Sequence, residues 1–220
     1  MPGPLAGARL FPFKDPMAYD TTYSPTTELD AVNMLLFVIS ESPVNTLDQD
    51  TTVAAGTALR LLREESRALQ SKGWSFNRDE NVALTPNASD NTISFAANTL
   101  AVKFKGDDTY GTLAYRSGKV YDRSTQSFVF VSTRAVYADI VLLLGFEDLP
   151  ESARRYIAVR AARRYQDARL GDGELHQFER EDEERAAADF LADESDAQSY
   201  NVVKDSPSVR AVTIRRMARY

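Results

Sequence analysis

The hydrophobic pattern of this chain changes period twice, and that switch limits the folds open to it. Leu29, Val32, Leu36 and Ile39 recur at helical spacing, as do Val53, Leu59, Leu62 and Leu69, with Leu61 widening the second stripe. From about Val82 to Leu144 the apolar runs become short and strand-like: Ile93-Ser94-Phe95, Leu100-Ala101-Val102-Lys103-Phe104, and Phe128-Val129-Phe130-Val131. Thr112 to Asp122 reads as a hairpin turning at Ser117-Gly118. Helical stretches then return, the last with a stripe of Leu175, Phe178, Ala186 and Phe190. The expected class is α+β: a four-helix bundle core with an inserted small antiparallel β module, plus an extended N-terminal arm and a C-terminal tail. The expected boundaries are an arm over 1–25, a first helical part over 26–80, the β module over 81–146, a second helical part over 147–196, and a tail over 197–220.

Local signals place the helix ends. Thr26 is the expected N-cap of the first helix, with Glu28 and Asp30 in its first turn, and Ser42-Pro43 breaks it. Asp50 or Thr51 caps the second helix, and Gly73 stops it. Pro150 and Glu151 open the third. Gly171-Asp172-Gly173 is a short joint that makes the third and fourth helices antiparallel neighbours.

Charge is segregated along the chain. The third helix carries Arg154, Arg155, Arg160, Arg163, Arg164 and Arg169; the fourth carries Glu179, Glu181, Asp182, Glu183, Glu184, Asp189, Asp193 and Glu194. The tail is basic again, with Lys204, Arg210, Arg215, Arg216 and Arg219. In the arm, Pro2, Pro4, Pro12, Pro16 and Pro25 oppose helix and central strand. Leu10, Phe11, Phe13, Met17, Tyr19 and Tyr23 are nevertheless unusually apolar for such a segment, which reads either as a loose terminus or as an arm that lays aromatic side chains on a neighbouring subunit.

Little in the chain points to chemistry. There is no cysteine, which removes disulfides, thiol nucleophiles and thiolate metal sites. The single histidine, His176, sits in the first turn of a charged helix and reads as a surface residue. Neither a phosphate-cradling glycine loop nor a nucleophile elbow occurs. The net charge of -6 weighs against a dedicated nucleic-acid binder, although Arg154 to Arg164 could follow a phosphate backbone. The apolar runs Met34 to Ile39 and Ile140 to Leu144 fall well short of the ~20 residues a bilayer helix needs. The N-terminus lacks the pattern of a secretory signal. No cofactor or metal is expected. The alternative enzymatic reading is a carbohydrate-active protein, glycan-binding or glycan-hydrolysing, using carboxylates such as Asp107, Asp108 or Asp122.

Three blocks in order are specific. The first is Glu28-Leu29-Asp30-Ala31-Val32-Asn33, leading into Ile39-Ser40-Glu41-Ser42-Pro43-Val44-Asn45-Thr46-Leu47. The second is Arg67-Ala68-Leu69-Gln70-Ser71-Lys72-Gly73-Trp74-Ser75-Phe76-Asn77. The third is Gly118-Lys119-Val120-Tyr121-Asp122-Arg123, then Phe146-Glu147-Asp148-Leu149-Pro150-Glu151 and Arg154-Arg155-Tyr156-Ile157. Together they resemble the tail tubular protein A family of short-tailed phages over roughly residues 26–196, the second block being the most specific. Ser40 departs from the family, which has glycine there, so the first helix would end differently. The resemblance implies a non-enzymatic virion protein forming a twelve-subunit ring between the portal and the nozzle protein, tail tubular protein B. Such a ring continues the DNA channel without sequence-specific binding and helps attach tail fibres. In that setting Arg210, Arg215, Arg216 and Arg219 are candidates for portal docking. Arg154, Arg160, Arg163, Arg164, Glu181, Glu184, Phe11 and Phe13 are candidates for contacts between subunits.

Overall fold

The computed structural model describes residues 24–48, 52–105, 112–130, 136–169 and 173–197. Two helices come first, α1 (Glu28–Val38) and α2 (Val53–Gln70). Five strands follow: β1 (Arg78–Leu84), β2 (Thr99–Lys105), β3 (Leu113–Arg116), β4 (Lys119–Asp122) and β5 (Val136–Leu142). Helices α3 (Glu151–Arg169) and α4 (Gly173–Ala197) complete the order. The α+β class with a β module between helix pairs is therefore present. No helix among the described residues is long and apolar enough to cross a membrane.

Helix α3 is the hub of the bundle and packs against α1, α2 and α4. Its inner face is Ala153, Ile157, Ala158, Ala161, Ala162 and Tyr165, and the small alanines let neighbouring helices approach closely. Ala31, Val32, Leu35 and Leu36 of α1 and Ala55, Ala58, Leu62 and Leu69 of α2 close the same core. The buried Tyr165 hydroxyl donates to the Ala54 carbonyl at 3.0 Å. Helix α4 runs antiparallel to α3, since Arg163 meets Glu183 while Tyr156 stacks on Phe190, with ring centroids 5.9 Å apart.

A separate core fills the β module. Strand order is β1-β5-β2, all antiparallel, and β3-β4 form the hairpin. Val136, Ala138 and Ile140 of β5 point inward, onto Leu84, Ile93 and Val120. Ser117 (φ 50) and Gly118 (φ 73) both lie in the left-handed region, as a tight type I′ turn requires. Two expected strands are absent as ladders. Ser94 makes one bridge with Lys119, and Val129 makes one with Thr92. Ile93 and Phe130 instead plug the module with their side chains. Strand β1 and the central strand β5 are additional to the runs the periodicity picked out.

Several helix ends shift from expectation. Thr27, not Thr26, caps α1, and its hydroxyl accepts from Asp30 N–H at 3.1 Å while the Asp30 carboxylate accepts from Thr27 N–H at 3.0 Å. Thr26 instead donates its N–H to Glu151 at 3.1 Å. Thr52 caps α2, leaving Val53 85% exposed at the first helical position, outside the apolar stripe. Ser40 ends α1 in the conformation that glycine favours. Ser40 adopts φ 58, Glu41 N–H reaches the Leu36 carbonyl at 3.0 Å, and Ser40 N–H reaches the Phe37 carbonyl at 3.0 Å. This is the double-bonded left-handed cap that glycine usually fills.

These ends give two tests. Ser40→Gly is expected to raise stability by roughly 0.5–1 kcal/mol by relieving the left-handed serine. Gly73→Ala is expected to lower it by more than about 1 kcal/mol, because Gly73 has φ 71 and an added Cβ would lie 2.7 Å from Val141 Cγ2. Thermal unfolding of the variants reads both. The second test is pH-dependent. Hydrogen bonds from the Thr27 hydroxyl and then its backbone N–H hold the Asp30 carboxyl below its usual range. A folded value below the unfolded one stabilises the chain above about pH 4, and the gain is lost as pH falls through the depressed value. Asp30→Ala should therefore be less stable than the native chain near neutrality. The gap should close at low pH in denaturant titrations.

Candidate functional site

The residues with the densest side-chain chemistry lie where α3 meets α2 and α4. Glu65 of α2 is 1% exposed, and two guanidiniums of α3 reach it. Arg164 bonds its Oε1, and Arg160 Nε lies 2.8 Å from its Oε2. The Arg160 approach is an ion contact without hydrogen-bond alignment. Arg164 also lies 3.4 Å from Glu64. Arg163 pairs with Glu183 of α4 and stands 3.4 Å from Asp167, and Arg160 lies 3.9 Å from the same Glu183. Helical spacing produces this arrangement: residues 160, 163 and 164 share one side of α3, so one row of arginines serves both flanking helices. Chemically it is a chain of alternating charges, suited to fixing three helices rather than to transferring a group.

Arg154 does a different job. Its guanidinium bonds the carbonyls of Leu149 (2.8 Å), Thr26 (2.9 Å) and Glu147. With Glu151 holding Thr26 from the other side, the first turn of α3 fixes where the chain enters α1. Glu184 and Glu181 are exposed on α4, with intrahelical partners Arg180 at 3.1 Å and Arg185 at 3.6 Å. Phe11, Phe13, Arg210, Arg215, Arg216 and Arg219 lie outside the described residues, as do Asp107 and Asp108. Sequence reading did not single out Glu65. Adjacent Glu64 and Glu65 look alike in sequence, and only the helix phase turns one inward.

Asp122, the described member of the alternative carboxylate set, is engaged in a turn. Its Oδ1 accepts from Ser124 N–H at 2.8 Å and Ser124 Oγ at 2.7 Å. These bonds, the Ser124 hydroxyl first, hold its carboxyl below the usual range, which opposes use as a general acid. Asp139 is likewise held low, by Lys105 at 2.6 Å and then by Asn81 N–H at 2.8 Å. Among the described residues no group of three or more metal-ligating side chains converges.

The buried carboxylate makes a two-way prediction. Arg160→Met with Arg164→Met strands Glu65 and should cost about 3–5 kcal/mol. Adding Glu65→Leu should recover most of that loss, since the carboxylate no longer needs a partner. Denaturant unfolding of the double and triple variants compares the two.

The chain matches the tail tubular protein family over residues 29–200. It is also 40% identical over 132 residues to tail tubular protein A of Klebsiella phage KP34, an alignment taking in 60% of this chain and 67% of that protein. The family match runs from α1 through the Gln70–Asn77 block and the β module to the end of α4, so it takes in both cores and the charged row between the helices. This chain accordingly belongs to the tail tubular protein family, structural proteins of the phage virion tail.

Proposed function

We propose that the chain is the ring-forming adaptor joining the portal to the tail nozzle. In this reading about twelve copies continue the DNA channel, touch the DNA without reading its sequence, and help attach tail fibres. The observation that carries it is the pairing of family membership with an internally welded helical unit. A ring places each subunit between two non-identical faces, and a subunit that bends dissipates the contact energy. Arg160, Arg163 and Arg164 support this by tying α2, α3 and α4 together within the chain. Glu181 and Glu184, exposed on the outer side of α4, offer charge to the next subunit. Arg154 acts at the root of the arm that carries Phe11 and Phe13.

The basic tail, with Arg210, Arg215, Arg216 and Arg219, is the proposed portal-docking segment. The β module, which has its own hydrophobic core, is the proposed contact for the nozzle protein or the fibres. Light scattering of the purified chain, alone and mixed with portal, tests the reading. The expected result is a discrete ring-sized complex with portal, and truncation after Asp196 should abolish it while leaving the thermal melt of the fold in place. A chain that remains a monomer in the presence of portal overturns the adaptor reading.

A further inference from the structure

Two exposed ridges of the fold carry the same residue spacing in opposite directions. On the outer side of α2, Val53, Gly56, Arg60 and Arg63 step forward by 3, 4 and 3 residues, which keeps them on one face. On the outer side of α4, Leu191, Ala188, Glu184 and Glu181 step backward by the same 3, 4 and 3. Every one of these residues is exposed, Val53 at 85% and Leu191 at 53%. Singly, such apolar residues are ordinary. Here each heads a row whose charge is opposite to the other's.

Three further observations mark these ridges as a pair. Glycine weakens a helix relative to alanine, and an added Cβ at Gly56 would meet nothing within 4 Å. Packing inside the chain gives no reason for it, whereas an outside helix can approach closely there. Arg60 and Arg67 have no carboxylate partner among the described residues, and Arg63 pairs with Glu28 alone, at 2.9 Å. Glu64, the one acid on this side of α2, is already approached by Arg164 at 3.4 Å. The exposed described residues of α4 hold six acids against two arginines. Those arginines pair weakly within their own helix, and each carboxylate keeps an oxygen for a second guanidinium. Finally, α2 has no acid in its first turn and α4 no base in its last, so both helix ends keep their partial charge.

We propose that the α2 ridge of one subunit packs antiparallel on the α4 ridge of a second copy. With Gly56 level with Ala188, the equal spacing sets Val53 against Leu191, Arg60 level with Glu184, and Arg63 level with Glu181. The same direction brings the negative end of α4 toward the positive end of α2. A chain's own α4 cannot be the occupant. Tyr165 of α3 bonds the carbonyl of Ala54 beside Val53, while Tyr156 stacks on Phe190 beside Leu191. These anchors are nine residues apart on α3, about 13 Å along its axis, and hold the two ends apart. A phosphate backbone would satisfy the arginines but would leave Val53 and Gly56 without a role. The two ridges are different surfaces, so the contact is head-to-tail and propagates around a ring. The inference rests on the ring-forming reading above and names the faces that form it.

The absence of cysteine makes the test direct. The full chain carrying Val53→Cys and Leu191→Cys is assembled with portal and treated with a short bismaleimide. Packing of α2 on a second copy's α4 gives a ladder of linked chains on a denaturing gel. A control carrying Val53→Cys and Phe37→Cys, the latter exposed on α1, gives none. Linkage confined to single chains overturns the proposal. Rings of normal mass by light scattering without linkage assign the α2 face to another occupant, portal or DNA, and overturn it while leaving the adaptor reading intact. Where the cysteine pair itself blocks assembly, charge decides. Arg60→Glu is expected to lose the ring-sized complex with its thermal melt kept, and Arg60→Glu with Glu184→Arg to regain it. No loss, or loss without recovery, overturns the proposal. Failure of the unsubstituted chain to form rings removes both readings.

Discussion

The fold turns on the side chain of Gln70, the last residue of α2 and fully buried. Its Oε1 accepts from Leu144 N–H at 2.8 Å, and its Nε2 donates to the Leu144 carbonyl at 3.1 Å and to Ser66 Oγ at 3.0 Å. The amide thus acts as one rung of a β ladder, pairing both backbone groups of the residue that leaves β5. Asn77 repeats the device one step later. Its Nδ2 donates to the carbonyls of Gln70 (2.9 Å) and Leu142 (2.8 Å), and its Oδ1 accepts from Trp74 N–H at 2.8 Å. Each of these backbone groups would cost about 1–3 kcal/mol if buried unpaired. An apolar side chain could fill the space but could not pair them. Gly73 between the two amides lets the backbone pass close to Val141, where no Cβ fits. The helical bundle and the β module have separate cores, and this block joins them.

The same block sets the seat of α4. Trp74 meets Phe190 edge-on with centroids 4.7 Å apart, Phe76 meets it at 6.4 Å, and Tyr156 stacks on its other side. Ser75 Oγ donates to Glu194 at 2.9 Å. Phe190 is 2% exposed, so its burial contributes on the order of 2–3 kcal/mol, and each ring contact adds about 0.5–1.5 kcal/mol. The exposed pairs on α4, such as Arg180 with Glu184, contribute only about 0.3–0.5 kcal/mol each. Among its described side chains, α4 is therefore held by Phe190, Ala186 and inward charges such as Glu183 and Glu194, not by its exposed acids.

The helices were legible because their apolar residues are local and periodic, and the hairpin was legible because Ser117-Gly118 is a turn with a steric reason. The sheet was harder to read. Strand β1 presents Arg78, Asp79 and Glu80 to solvent, and a bulge between Asp79 and Val82 breaks its alternation, with Asn81 at φ 55. Strand β5 alternates correctly, but Tyr137 and Asp139 on its outer face hide a central strand inside a polar-looking run. Ile93-Ser94-Phe95 reads as a strand because two inward apolar residues flank an exposed serine. The segment does pair with the β3–β4 hairpin, through the Ser94–Lys119 bridge and bonds from Val120 N–H to the Ile93 carbonyl and from Phe95 N–H to the Gly118 carbonyl, but the pairing ends after this one bridge. The Gln70–Asn77 block stood out only through resemblance; no periodicity marks a glutamine that imitates a strand. The Glu65 pairing depends on the relative rotation of two helices, which no single segment encodes.

A joint built from paired amides has a mechanical consequence. Rotation of the β module against the bundle must break several buried hydrogen bonds at once, and the same motion would drive Val141 against Gly73. The two cores therefore move as one body, and a partner gripping the β module acts on the helices without loss to internal bending.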